Sequence, residues 1–441
     1  MYHERKACAG MEISVKRTSN HSEQRLFREE VLSFTRLFVP QASQSSLYRR
    51  TESEIQFAIP SALEMPAEWR SSMGFAKSDI TRDECMLTDR FGKKGYDWWW
   101  HSFTGRNQKT GKEKTFFIEF FLCNPNYGEK KPVFGRPHPS YLMVKAGAWG
   151  EDAAQLHRFF GWDDVNLHGK APFALAAEDC YLSEKATKGR ISLTEEEVKA
   201  HPEYMCQAGK MSWNLRMEKK VPFNVGYGAG KLLRRIQAFE MYWHAEGMKT
   251  LYSGTVKWNG EVYEVRPENC YGYADKNWGS NFTSPWVWLS SNDMVRTFTG
   301  ERLKNSVFDI GGGKPRIFGI PLNKKLLGAF YYEGEEFEFN FSKFWMRPRT
   351  MFECIELPDR IIWRVKQETC KAVMYTEVRC KKKDMLLIQY EAPDGSRRHK
   401  HLLNGGTGTG RIKLYRKDGI YRTLVDDVRI KHVGCEFGVF S

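Results

Sequence analysis

From about residue 90 onward, apolar and polar positions alternate along much of this chain, the period-two signature of strands half-buried against a core. The aromatic run 95–104 is strongly β-prone. Polar residues 105–114 separate it from Thr115-Phe116-Phe117-Ile118-Glu119-Phe120-Phe121-Leu122, so the two runs predict a hairpin. Its second strand is apolar on both faces and must therefore be covered on both. Asn259-Gly260 lies between alternating flanks over 256–265, the pattern of a two-residue type I′ turn. Later, Phe337, Phe339 and Phe341 alternate with Glu336, Glu338 and Asn340, while Ile412 and Leu414 alternate with Arg411 and Lys413. The pairs Asp394-Gly395 and Asp418-Gly419 punctuate the last third as turns.

Helical periodicity is confined to short pieces. Phe27, Val31, Phe34 and Phe38 share one face of a helix that Ser22 caps and Pro40 ends. Residues 151–160 predict a second short helix, and the capping box Thr194-x-x-Glu197 opens a third. Residues 231–244 read as a further helix or a crossover. The order is an aromatic β-meander, a crossover and a second β-meander, which implies two antiparallel sheets or barrels and not alternating β/α units. The expected organisation is a partly helical N-terminal extension over 1–80, a first barrel with its crossover over 81–292, and a second barrel over 293–441.

Length agrees with more than one core, since 441 residues exceed the size at which a single core stops growing. A hydrophobic fraction of 41% and a charged fraction of 28% are those of a soluble globular chain. No uninterrupted apolar run is long enough to span a bilayer, and the charged N-terminus leads into no apolar signal region, so cytoplasmic residence is expected. The net charge of +14 is dispersed, with short basic stretches at Lys381-Lys382-Lys383 and Arg397-Arg398-His399-Lys400-His401. These read as solvated loops; peripheral attraction to an anionic lipid surface is the second reading, and no nucleic-acid partner is expected.

The ten cysteines show no C-x-x-C spacing, and the eleven histidines no H-E-x-x-H, so no metal site is expected. Gly226-Tyr227-Gly228-Ala229-Gly230-Lys231-Leu232 misses the phosphate-loop spacing. Gly311-Gly312-Gly313 and Gly405-Gly406-Thr407-Gly408-Thr409-Gly410 miss the dinucleotide fingerprint. All three are read as turns or linkers. No Gly-x-Ser-x-Gly elbow occurs.

Two clusters carry chemistry. One is Asp97-Trp98-Trp99-Trp100-His101; the other is Asp275-Lys276-Asn277-Trp278-Gly279, with Trp286 and Trp288 close behind. A carboxyl walled by indoles loses hydration, which raises its pKa toward use as a general acid. Indole faces stabilise a nearby cation. Together these would suit protonation of an alkene. The plain structural reading stays open: Asp275 and Asn277 bonding backbone at a turn, with the tryptophans filling a core.

Asp97-Trp98-Trp99-Trp100 resembles the acidic-Trp-Trp-aromatic signature of the tocopherol cyclase family, within a lipocalin-like group that also holds carotenoid hydratases and Diels–Alderases. Tyr273 to Gly279 resembles that group's Tyr-x-acid-Lys/His-Asn-Trp-Gly signature. Phe239-Glu240-Met241-Tyr242-Trp243-His244 and Gly408 to Tyr415 are similar to family stretches too, and the resemblance spans about residues 90–438. It implies two lipocalin-like β-barrels around an apolar cavity, in which a prenylated hydroquinol closes to a chromanol without redox cofactor or metal. Trp100 departs from the wider group, which has Tyr there, and no plastid-targeting segment is evident in residues 1–80.

On this reading the chain is a cofactor-independent cyclase or isomerase of a prenylated or polyene lipid. Asp275 is the proton donor, Asn277 and Tyr273 position it, and His244 is the base for the phenol. Asp97, Trp98, Trp99, Trp100, Trp278, Trp286 and Trp288 bind substrate. The rival is a carrier that uses the same barrels to hold an apolar ligand without chemistry.

Overall fold

Strand Tyr96–Asn107 is paired along its length on both sides: with Glu113–Cys123 on one, and with Gly272–Gly279 and then Glu261–Val265 on the other. The computed structural model describes residues 83–87, 94–125, 139–223, 238–341, 343–396 and 401–439. The proposed helix over Phe27–Phe38, the extension 1–80 and the glycines of 226–230 lie outside them.

The aromatic hairpin forms as expected. So does the Asn259-Gly260 turn, where both residues take the positive φ (48° and 89°) that a type I′ turn requires. From this centre the first antiparallel sheet extends two ways. One arm runs through Tyr141–Ala148 to Ala154–Gly161. The other runs through Met241–Trp258, Gly209–Phe223 and Ala186–Leu193 to three short strands. The two arms curl round one core, into which Trp99, Phe120, Leu142, Leu156, Phe173 and Trp213 all point, so the sheet is a barrel.

A second antiparallel sheet begins at Trp286, ahead of the expected boundary at 293. Trp286–Ser291 sits between Val307–Gly313 and Tyr421–Gly438, and the sheet continues to Glu335–Phe339 on one side and Arg349–Glu356 on the other. It curls as a half-barrel round its own core of Phe308, Phe330, Trp363, Met374 and Leu414. The fold is thus mainly β with two barrel-type sheets. A third apolar cluster lies where the sheets face each other: Trp100, Phe117, Phe121 and Trp243 from the first meet Trp286, Trp288, Tyr390 and Leu402 from the second half of the chain.

Three expectations need correction. Residues 151–160 do not form a helix: Gly150 and Asp152 turn the chain at positive φ, and Ala154–Gly161 then pairs with Tyr141–Ala148. Leu156 and Phe160 have helical spacing, yet both enter the barrel core, and tertiary pairing overrides the local pattern. The described part of 231–244 opens the strand Met241–Trp258. The glycines of 311–313 and 405–410 are strand residues, not turns. The capping box does form, with Thr194 and Glu197 closing both hydrogen bonds of the short helix Glu195–Ala200. Among the described residues no helix is long and apolar enough to cross a membrane.

Candidate active site

Strand alternation splits the two sequence clusters between opposite faces of the first sheet. Trp98 lies opposite Asn277 and Trp100 opposite Asp275, and the same face carries Tyr273 and Trp243. Asp97 lies opposite Trp278 and Trp99 opposite Lys276, and this second face points into the barrel with Tyr242 and His244. The face bearing Asp275 looks toward the second sheet, so the candidate site lies between the sheets.

There a small cavity of about 30 Å³ is lined by Trp98, Trp100, Met241, Asp275, Asn277, Phe282, Thr283, Trp286, Trp288, Tyr390, Leu402 and Glu436. A neighbouring apolar cavity of about 70 Å³ shares Met241, Thr283 and Trp286 with it and continues past Trp243, Leu327 and Phe341. The walls are aromatic because each strand presents its large residues to this gap: Tyr390 stacks on Trp98 at 5.4 Å, and Phe282 stacks on it at 6.0 Å.

Asp275 is the best-defined acid of the cavity. Its Oδ2 accepts hydrogen bonds from Trp243 Nε1 at 2.7 Å and Tyr273 Oη at 3.0 Å, while Oδ1 has no partner among the described residues. Burial removes water from the carboxyl and pushes its pKa up to about 8; the two donors pull the other way and do not win. Neutral Asp275 thus keeps a proton with no acceptor among the described residues. Behind it, Tyr273 also reaches Asp309 Oδ2 at 2.9 Å, and Trp288 Nε1 donates to Asp309 Oδ1 at 3.1 Å. Burial raises Asp309 well above the usual carboxyl range, reinforced by the charge of Asp275. Asn277 accepts from Tyr96 Oη at 3.1 Å, leaving its Nδ2, like Trp100 Nε1, without a partner among the described residues. One carboxyl oxygen and two N–H groups on cavity residues are therefore available to a polar end of an otherwise apolar ligand.

The second sheet supplies another acid. Glu436 Oε2 accepts from Trp286 Nε1 and Oε1 from Asn404 Nδ2, both at 2.5 Å, and Trp149 Nε1 holds Asn404 Oδ1 at 2.7 Å. Burial pushes Glu436 up to about 7. Nearby, Glu119 Oε2 pairs with Lys145 at 2.8 Å and accepts from Tyr390 at 2.9 Å.

The structure therefore brings together Tyr273, Asp275, Asn277, Trp98, Trp100, Trp286 and Trp288, but not the remaining predicted residues. Asp97, Trp99, Trp278 and His244 lie on the barrel face. Lys276 Nζ binds Asp97 Oδ1 at 2.7 Å and sits over the rings of Trp99 and Trp278. This group grips the chain's own segment 83–86. Met86 N donates to Asp97 Oδ2, Trp99 Nε1 to the Asp83 carbonyl, and Lys276 to the Glu84 carbonyl. Burial raises Asp97 to about 6 against the attraction of Lys276. For these residues the structural reading applies. It does not apply to Asp275, which sits within a strand and bonds side chains.

Sequence reasoning missed Glu436 and Asp309. A signal was present: each is a lone carboxylate inside an apolar and glycine-rich run, 433–438 and 307–313, where a charge is expensive to bury without a use or a partner. The glycines were also informative. A Cβ on Gly311 would stand 2.4 Å from the Trp243 ring, one on Gly434 2.3 Å from Trp288, and one on Gly406 2.2 Å from Trp149. They clear space for the indoles that hold the two acids and their neighbours.

Against known proteins, a family model described as tocopherol cyclase-like matches residues 181–437. The chloroplastic tocopherol cyclase of Zea mays is 33% identical over 101 residues, 23% of this chain and 20% of that protein. The "Probable tocopherol cyclase, chloroplastic" of Oryza sativa subsp. japonica is 31% identical over 101 residues, with the same coverage. The matched stretch spans about a fifth of the length of these curated relatives. Among solved structures, an AttH candidate from Nitrosomonas europaea aligns over 82% of this chain and 98% of its own, with a TM-score of 0.42 and 12% identity.

Proposed function

The chain belongs to the tocopherol cyclase-like family, and from that premise we propose that it is a cyclase or isomerase that protonates an alkene of a prenylated hydroquinol or polyene lipid and closes a ring. The observation that carries the reading is Asp275: a buried carboxyl, neutral near pH 7, with one oxygen that has no partner among the described residues, on an aromatic-walled cavity.

A carbon base such as a trisubstituted alkene is protonated only by an acid that stays protonated at working pH and is close enough to deliver. Desolvation gives Asp275 the first property, and its place on the cavity wall gives the second. The tertiary cation that results is unstable in water. Here the faces of Trp98, Trp100, Trp286, Trp288 and Tyr390 offer their π electrons without acting as nucleophiles. As Asp275 loses its proton, the Trp243 and Tyr273 donors already aimed at Oδ2 stabilise the carboxylate that forms. The phenolic oxygen then attacks the cation. Asn277 Nδ2 and Trp100 Nε1 are the groups that would orient the hydroquinol head.

The cavity around Asp275 is smaller than such a substrate. Met241, Thr283 and Trp286 divide it from the apolar cavity beside it, and movement of those side chains would join the two into one slot for head and tail.

Incubating the protein with prenylated hydroquinols in deuterated water tests the reading. A chromanol with one carbon-bound deuterium supports it. Unchanged substrate that co-elutes with the protein would make the chain a carrier.

A further inference from the structure

We propose that Glu436 is the second catalytic residue of this site, the base that takes the phenolic proton as the ring closes, paired with Asp275 across the gap between the two sheets. The inference rests on the reading of Asp275 as the acid and replaces His244, which faces the barrel interior, in the role of base.

The two carboxyl groups line one cavity from opposite sheets and are held alike. Trp243 Nε1 donates to Asp275 and Trp286 Nε1 to Glu436, and the two indoles meet edge to face with centroids 6.3 Å apart. They differ in how their oxygens are used. Both oxygens of Glu436 accept from N–H donors, from Trp286 and Asn404, an arrangement that favours the carboxylate. Asp275 has one oxygen engaged and one without a partner among the described residues, an arrangement that leaves room for a proton. Two buried carboxyls that face one cavity and feel each other's charge disfavour joint ionisation, so the pair holds one proton, and the hydrogen-bond pattern puts it on Asp275. Lys145 adds positive charge on the Glu436 side, offset by the Glu119 carboxyl it pairs with.

The proton balance closes. The Asp275 O–H bond breaks as a C–H bond forms at the alkene. The phenolic oxygen forms the new C–O bond, and its proton passes to Glu436. Product is an isomer of substrate, and one proton has moved from Asp275 to Glu436. Its return after product release restores the starting pair. No oxidant or co-reactant is required.

The test compares wild type with Glu436→Gln on a prenylated 1,4-hydroquinol and on the same compound methylated at the ring-closing oxygen, both in deuterated water. The methyl ether has no proton to lose from the ring-closing oxygen, so deuterium delivery to its alkene reads the acid step at Asp275 without ring closure. We expect E436Q to lose ring closure by about a hundredfold or more, while deuterium delivery to the ether changes far less, only as far as loss of the Glu436 charge alters the acidity of Asp275. Ring closure by E436Q at the wild-type rate overturns the inference and leaves the reading of Asp275 standing. Failure of wild type to deliver deuterium to either compound removes both. Should E436Q not fold, the acid limb of the wild-type pH profile decides. Ring closure must fall as Glu436 takes up a proton while deuterium delivery to the ether does not, and a flat acid limb overturns the inference.

Discussion

Asp275 and Asp309, on strands of different sheets, are joined through one hydroxyl: Tyr273 Oη lies 3.0 Å from Asp275 Oδ2 and 2.9 Å from Asp309 Oδ2. Tyrosine has one proton to donate. Whichever carboxyl does not receive it must supply its own, so the assembly holds at least one carboxylic proton. Burial raises all three groups, and Tyr273 is pushed well above the usual phenol range by burial and by both aspartates. The acid is kept neutral by the way the sheets meet.

Asp275→Asn should abolish turnover, by about 10²–10⁴-fold, because the amide has no proton to give the alkene. The amide oxygen can still accept from Trp243 and Tyr273, so ligand retention on gel filtration should be unchanged. A variant that loses both folding and binding would make Asp275 a structural residue.

The same substitution should flatten the dependence of stability on pH. The Asp275 pKa rises from 3.8 to about 8 on folding, so its contribution is complete below pH 4 and is lost as pH rises through 8. Glu436, rising from 4.5 to about 7, acts in the same direction over a narrower window. Asp275→Asn should therefore be more stable than wild type above neutral pH, by on the order of 5 kcal/mol, and melt higher. Near pH 4 the two should melt alike. Scanning calorimetry at both pH values reads the difference.

Asp97, whose pKa burial also raises, should nevertheless respond to an Asn substitution by losing stability, because it is paired with Lys276. Asp97→Asn leaves Lys276 charged and buried without its counter-ion, which costs about 3–5 kcal/mol. Removing both charges with Asp97→Asn and Lys276→Met should recover much of that loss. Activity per folded molecule should be unchanged in either variant, because both side chains face away from the cavity. A loss of turnover with a normal melting curve would return Asp97 to the site.

Gly311→Ala should damage activity although Gly311 lines neither cavity. The added methyl would stand 2.4 Å from the Trp243 ring, and moving that indole loosens the 2.7 Å bond to Asp275. Overpacking of this kind costs about 1–3 kcal/mol. With the donor displaced, the anion of Asp275 is less well stabilised and the basic limb of the pH–rate profile should move up. A profile identical to wild type would show that Trp243 does not set the acidity of Asp275.

The sequence by itself determined part of the local structure and half of the site. Alternation and turn chemistry placed the aromatic hairpin and the Asn259-Gly260 turn, because their signals are short-range. The Asp275 strand was marked by the density of acid, amide and indole within one span. Alternation also says that Asp275 and Lys276 must point opposite ways, but not which face meets a ligand. That depended on which neighbour covers each face. The barrel core and segment 83–86 took Asp97, Trp99, Lys276 and Trp278, while the second sheet left a gap over Trp98, Trp100, Asp275 and Asn277. Glu436 follows Asp275 by more than a hundred residues in the chain. Strand Tyr421–Gly438 pairs beside Trp286–Ser291, and only that pairing puts the second carboxyl on the same cavity. Side-chain direction is written in a two-residue period, whereas the partner across a cavity is chosen by sheet packing, which no local pattern encodes.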